Sequence, residues 1–249
     1  MAVIPARAGS KRLPGKNTRP FFDHPMMAYG ISAALGSRLF DQVMVSSDDP
    51  TVGEIAEWYG AEFVLRPPEL ATDNAGLVEV ACHVLDTLNS RGRRPEILCQ
   101  IMPNCPLVRS EDLAAHWKLF QEGRRKFQIS VVRYRGVYPH WALVPDGSFR
   151  GEWLLGSKYL TRSQDLPNVF CPTGAIWIVR VEDFLAQRAF YGSPFHLAPM
   201  DANRGIDIDD QEDLSLAEVL VQGLFARDGV PPLEPIARQP FLIEGARLG

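Results

Sequence analysis

The sequence runs to 249 residues, 46% of them hydrophobic and 22% charged, which suits one large α/β domain with a small appendage. A formal net charge of -4 excludes a general nucleic-acid coat, which would be basic. No run approaches the ~18 apolar residues of a transmembrane helix, no basic leader or cleavage pattern precedes the first strand, and Cys82, Cys99, Cys105 and Cys171 never pair as Cys-x-x-Cys; a cytoplasmic chain with free thiols, binding neither nucleic acid nor membrane, is expected.

A short apolar strand beginning at Ala2 ends in a loop, Arg7 to Asn17, that carries Arg7, Lys11, Arg12 and Lys16 beside Gly9, Pro14 and Gly15. Apolar residues at helical spacing predict a helix over Pro25 to Leu35, with Pro25 suited to its first turn. Asp41 to Asp49 reads as a buried strand, Thr51 to Tyr59 as a helix stopped by Gly60, and Ala61 to Leu65 as a further strand. This alternation points to a three-layer, Rossmann-like, mostly parallel sheet with helices on both faces. Asp73 to Gly76 can open the next helix, whose apolar side holds Leu77, Val80, Ala81, Val84, Leu85 and Leu88. Glu96 to Met102 is a strand, Ser110 takes the place of an N-cap for a helix to about Gln121, and Ile129 to Tyr134 is a strand again.

Between 136 and 168 the pattern changes to interleaved aromatics, prolines and glycines, including Tyr138, Trp141 and Trp153. A hairpin-like excursion that serves as a homodimer contact is expected there. Gly174 to Val179 returns to the sheet, Val181 to Arg188 is a short helix, and Gly205 to Asp210 is a strand end meeting a last helix, Gln211 to Leu224. Residues 1–228 therefore form the main domain, and 229–249, with Pro231, Pro232 and Pro235, an extended tail.

The basic loop lacks both common nucleotide motifs, Gly-x-x-x-x-Gly-Lys-Ser/Thr and Gly-x-Gly-x-x-Gly, and a solvated surface loop is the plain alternative. Its place after the first strand of an α/β pattern favours a ligand, because ligands bind at the carboxyl ends of such strands. Fixed cations and backbone N–H groups gathered there suit a polyphosphate. At the far end of the chain, Asp207 and Asp209 fall on one face of a strand because side chains alternate. Two such carboxylates repel unless a cation lies between them, and Mg²⁺ takes one or two carboxylates plus substrate phosphates. The plain alternative is that Asp209 or Asp210 caps the last helix. Together the two features describe a nucleoside triphosphate attacked at phosphorus, a reaction that needs positioning and charge neutralisation rather than a Ser or Cys nucleophile.

The segment Ile4-Pro5-Ala6-Arg7-Ala8-Gly9-Ser10-Lys11-Arg12-Leu13-Pro14-Gly15-Lys16-Asn17 resembles the signature of the acylneuraminate (CMP-sialic acid) cytidylyltransferases. Phe40 to Asp49, Leu65 to Asp73, Pro103 to Leu107, Pro172 to Trp177 and Ile206 to Leu214 are similar to further blocks of that family, in the same order. The resemblance implies a nucleotide-diphospho-sugar transferase fold and transfer of CMP from CTP to the anomeric hydroxyl of a 2-keto-3-deoxy sugar acid, with Mg²⁺ as cofactor and pyrophosphate as product. It implies Arg7, Lys11, Lys16 and Asp209 as the catalytic set, and nucleotide contacts from Ala6, Arg7, Lys11, Lys16, Asn17, Arg66 and Ala75. Asp207 and Asp209 would hold the metal, and Met102, Arg162, Thr173 and Gly174 would face the acceptor. Arg12 falls where the family varies and carries less weight. The general base is open among Asp48, Asp49 and Asp73.

The chain departs from the family pattern at two places. Sialic-acid members usually carry Gln-Pro-Thr-Ser-Pro-Leu where this chain has Met102-Pro103-Asn104-Cys105-Pro106-Leu107, and often Arg-Pro-Asn-Gly-Ala-Ile-Tyr where it has Cys171 to Trp177. Losing a Gln and an Arg removes groups able to bind a sugar's hydroxyls and carboxylate, so a related nonulosonate or a Kdo-like sugar is as compatible as N-acetylneuraminate. A non-catalytic nucleotide-sugar binding protein of the same fold is the alternative of a different class, opposed by the retained cations and carboxylates.

Overall fold

The structure, a computed structural model, describes residues 1–72, 75–134, 138–148, 150–156 and 160–241. Its centre is β1 (Ala2–Pro5), an unbroken apolar run with every residue buried. Such a run suits a parallel strand covered on both faces. β1 pairs in parallel with β4 (Val43–Ser47) on one side and β6 (Ile97–Ile101) on the other. β5 (Glu62–Leu65) extends the first side in parallel. On the second side lies β10 (Phe170–Arg180), antiparallel to both β6 and β7 (Phe127–Arg133). A parallel edge strand, β11 (Phe195–Pro199), completes a seven-stranded sheet in the order β11-β7-β10-β6-β1-β4-β5, while β2 (Pro20–Phe21) and β3 (His24–Pro25) pair with each other apart from it.

Alternation along β1 divides the core. Ala2 and Ile4 pack into one cluster with Ile31 of α1 (Met26–Ser37), Ile55 of α2 (Pro50–Trp58) and Phe120 of α4 (Ser110–Glu122). Val3 points the other way, among Val84 and Leu85 of α3 (Leu77–Ser90) and Phe184 of α5 (Val181–Gln187). The expected three layers follow from that period of two. A third apolar cluster lies beyond the sheet, where Leu13 of the basic loop and Ile208 meet Leu214, Ala217 and Val221 of α6 (Gln211–Asp228). This cluster joins the two ends of the chain that carry the charges. No helix among the described residues is long and apolar enough to cross a membrane.

Two expectations need correction. Residues 206–209 form no strand; the segment is tied to the sheet end by the Ile208 amide, which donates to the Asn104 carbonyl at 2.9 Å. The edge strand lies earlier, at β11, whose half-exposed Phe195 and Leu197 lack a buried strand's apolar run. Ser110 is not an N-cap but the first residue of α4; Arg109 precedes it in extended geometry, and the Asp112 carboxylate accepts from the Arg109 amide at 3.0 Å. Asp73 and Asn74, expected to open α3, lie outside the described residues, and the helix begins at Leu77 after Gly76.

The excursion holds a two-stranded antiparallel hairpin, β8 (Leu143–Pro145) with β9 (Gly151–Trp153), and leaves Leu143, Val144, Leu154 and Leu160 exposed. The tail, irregular over 230–241, is held at several points. The Trp58 indole donates to the Gln239 carbonyl at 3.0 Å and the Phe241 amide to the Tyr59 hydroxyl at 3.1 Å. Buried Glu234 accepts from the Ser110 amide at 2.9 Å and from its hydroxyl at 2.7 Å, which satisfies the first turn of α4. Replacing Glu234 by alanine strands that amide, so Glu234→Ala should lower unfolding stability by about 2 kcal/mol. Urea unfolding measures it, and a loss within experimental error of zero would refute the tail's capping role.

Candidate active site

The chain leaves β1 toward β4 and β5, then returns through α3 to β6 on the opposite side of β1. Connections therefore diverge at the carboxyl ends of β1 and β6, and an open crevice must form there. The crevice is a cavity of about 500 Å³. Its lining includes Arg7, Lys11, Arg12, Lys16 and Asn17 from the basic loop, Arg66, Ala75 and Met102 from the middle of the chain, and Asn104, Asp207 and Asp209.

The basic loop is held to the sheet by its own backbone. The Ala6 amide donates to the Ser46 carbonyl at 2.9 Å, the Ala8 amide to Asp48 Oδ1 at 3.0 Å, and Asn17 Nδ2 to the Arg7 carbonyl at 2.9 Å. Gly15 turns the chain at φ +65°, a left-handed geometry that glycine adopts without steric cost. Leu13 is buried in the third cluster while its neighbours Arg12 and Lys16 line the cavity. Arg66 is fixed by bonds from Nε to Ser46 Oγ at 2.9 Å and from Nη2 to the Ser46 carbonyl at 2.7 Å. Burial pushes its guanidinium down to about 10, with Asp48 pulling it up and Arg7 down, so it remains cationic near neutrality.

Asp207 and Asp209 flank buried Ile208, which turns both carboxylates away from the apolar cluster. Lys16 Nζ lies 2.8 Å from Asp209 Oδ1, and Arg12 Nη2 lies 2.5 Å from Asp209 Oδ2. Burial pushes Asp209 up, but the bonds and charges of Lys16 and Arg12 outweigh it and leave the carboxyl below its ordinary range. Asp207 is pushed up to about 6, first by burial and then by the Asp209 charge, against the pull of Lys16. Lys16 and Arg12 act on both carboxylates but bond only Asp209. Asp210 caps α6, accepting from the Glu212 and Asp213 amides at 2.9 and 3.0 Å. Capping and carboxylate pairing thus fall to different residues of one short segment.

Other expected residues sit apart. Arg162 is exposed in the excursion, paired with Asp165 at 2.9 Å, and does not line the cavity. The Thr173 hydroxyl is buried 2.7 Å from Ser130 Oγ and belongs to the sheet interior. Gly174 backs the cavity wall: a Cβ there would lie 2.8 Å from Met102 Cγ and 3.5 Å from Asp207 Oδ2. Of the base candidates, Asp48 is engaged with the Ala8 amide and Asp49 caps α2 through the Thr51 amide at 2.8 Å, while Asp73 lies outside the described residues. Two further residues enter the site. Arg12 was legible only as one cation of four, and Asn104 lay in a segment notable for the polar groups it lacks.

A sheet with helices on both faces, whose switch point gathers cations from its first loop against a carboxylate pair, defines an α/β protein with a built site for a phosphorylated ligand. Residues 1–137 match the Cytidylyltransferase family, and the chain belongs to it. It is 34% identical over 222 residues to the N-acylneuraminate cytidylyltransferase of Escherichia coli, an alignment that covers 89% of this chain and 52% of that one. The chain thus spans about half the length of that relative. It is 29% identical to the pseudaminic acid cytidylyltransferase of Campylobacter jejuni, over 88% of this chain and 95% of that one. With the CMP-N,N'-diacetyllegionaminic acid synthase of Legionella pneumophila the identity is 28%, over 89% and 96%. Among solved structures, a CMP:2-keto-3-deoxy-manno-octonic acid synthetase complexed with CTP superposes with a TM-score of 0.65 at 16% identity, covering 89% of this chain and 98% of that one. That likeness shows the shared fold.

Proposed function

We propose that the protein transfers CMP from CTP to the anomeric hydroxyl of a 2-keto-3-deoxy nonulosonic acid, with Mg²⁺ as cofactor. The observation that carries this reading is the convergence of Lys16 and Arg12 on Asp209, beside Asp207, inside the switch-point cavity. The sugar oxygen bonds to the α-phosphorus, the bond from that phosphorus to the β-phosphate oxygen breaks, and pyrophosphate leaves with the bridging electrons. The hydroxyl proton passes to solvent.

The donor set fits Mg²⁺. Asp207 and Asp209 are hard oxygen ligands lining one cavity, and a cation between them would offset their mutual repulsion. Among the described residues no group of three or more His, Cys, Asp or Glu side chains forms a self-sufficient metal site. Mg²⁺ shared with substrate phosphates usually takes one or two carboxylates from the protein, a number the Asp207–Asp209 pair can supply. Bound there, Mg²⁺ would neutralise developing charge on the phosphates. Arg7, Lys11 and Lys16 bind and orient the triphosphate, Lys16 exchanging Asp209 for a phosphate oxygen. Asn17, Arg66 and Ala75 stand on the cytidine side of the cavity. The exposed apolar residues of the hairpin, Leu143 and Val144 among them, offer the surface for a homodimer.

The acceptor wall is more apolar than the sialic-acid pattern, because Met102 lines the cavity where sialic-acid members of the family usually carry a Gln. A thioether offers no strong donor or acceptor to a hydroxyl. The acceptor is therefore a more deoxygenated nonulosonate, of the pseudaminic or legionaminic kind. Pyrophosphate release from CTP, measured with N-acetylneuraminate, pseudaminate, diacetyllegionaminate and Kdo, tests both parts. The expected result is release with the deoxygenated acids at the highest kcat/KM. Preference for N-acetylneuraminate or Kdo would refute the Met102 reading. No release with any acid, in protein that still binds CTP, would favour the non-catalytic binding protein.

A further inference from the structure

Asn104 follows the end of β6 and is 2% exposed. Its Nδ2 donates to Asp207 Oδ1, to the Ile208 carbonyl at 3.0 Å and toward Asp209 Oδ1 at 3.3 Å. Its own backbone carbonyl accepts from the Ile208 amide at 2.9 Å. The side-chain oxygen, Oδ1, is buried with no hydrogen-bond partner. An amide nitrogen has only two hydrogens. Three acceptors therefore crowd one end of this side chain while the other end is left empty. Turning the amide over would set its oxygen against two carboxylates and a carbonyl, so the acidic pair dictates its orientation.

From this arrangement we infer that Asn104 is a positioning residue for the carboxylates, holding Asp207 and Asp209 together on one wall of the cavity, where a divalent cation would meet both. The inference rests on the proposed Mg²⁺-dependent reading of the same cavity. A neutral donor suits this task better than a cation. Lys16 and Arg12 hold Asp209 but cancel its charge, and they must release it before a metal can be held. The Asn104 amide restrains both carboxylates and leaves their full negative charge for the metal. The backbone bond between Asn104 and Ile208 holds the two segments in register, so the side chain is not required to join them. Groups that orient metal ligands from behind typically contribute about ten- to a hundredfold in metal affinity.

The test separates positioning from simple structural support by measuring CTP affinity calorimetrically in Mg²⁺ and again in EDTA. For the wild-type protein Mg²⁺ should tighten CTP binding. In Asn104→Leu, and in the smaller and still polar Asn104→Ser, that gain should shrink by about tenfold or more. Affinity in EDTA should stay near wild type, while the melting temperature falls modestly because the Ile208 carbonyl loses a buried donor. A variant that folds and keeps the full Mg²⁺ gain overturns the inference, as does a variant whose two affinities fall together. A wild-type protein that binds CTP equally well in Mg²⁺ and EDTA overturns the metal reading, and this inference with it.

Discussion

Asp209→Asn should lower turnover about a thousandfold while leaving the fold intact. The two halves of that expectation have different physical origins. Asp209 is about one-third exposed, and its ion pairs with Lys16 and Arg12 reach toward solvent. Pairs of that kind contribute little to stability, typically less than about 1 kcal/mol each. The substitution also removes the charge that raises Asp207, and this relief offsets part of the loss. Urea unfolding of the variant should therefore stay close to wild type. Catalysis has no such offset, because an amide cannot replace a carboxylate as a metal ligand of comparable charge. CTP binding in EDTA should hold or tighten, since Lys16 and Arg12 no longer have Asp209 as a competitor for phosphate. A variant that turns over normally at ordinary Mg²⁺ would sink the metal assignment.

The layers of the fold were legible because each buried strand is a short apolar run and each helix shows its apolar spacing. Val3, alternating with Ala2 and Ile4, suffices to require cover on both faces of β1. β11 escaped because its pattern is that of an edge strand, with Phe195 and Leu197 half exposed and only Ala198 buried. The carboxylate pair was legible as a pair, but for a reason that differs from the one expected. Asp207 and Asp209 share a side because Ile208 between them is anchored with Leu13, not because they alternate along a strand. That apolar anchor also explains why loop and carboxylates meet across 193 residues of sequence separation, which no local spacing encodes. Asn104 was hidden for a similar reason. A single polar residue beside prolines gives no sign of its partners, and its role appears only when the 207–209 segment folds over it. Glu234, in a proline-rich stretch, likewise shows no periodic signal, yet it completes the first turn of α4.

The cations of the loop are not equivalent, and substituting them should rank them by burial rather than by the length of their ion pairs. Arg12 makes the shorter contact to Asp209, 2.5 Å against 2.8 Å for Lys16. Its side chain, however, is 66% exposed, whereas that of Lys16 is 15% exposed. Two unit charges at ~4 Å interact by about 1 kcal/mol in water and about 4 kcal/mol in an effective dielectric near 20. The more enclosed charge therefore acts more strongly on a phosphate, and salt screens it less. Lys16→Met, which keeps the stem and removes the charge, should cut kcat/KM for CTP by a few hundredfold, roughly the effect of removing one preorganised donor to a developing anion. Arg12→Met should cost only about tenfold, and more of that loss should vanish at high salt. Equal losses, or a larger one for Arg12, would show that contact length rather than desolvation sets the hierarchy. In Lys16→Met protein, Asp209→Asn should then cost less than it does alone, because residues that serve one charged centre are not additive. Independent losses would mean that the two side chains meet in the free protein without acting on the same substrate group.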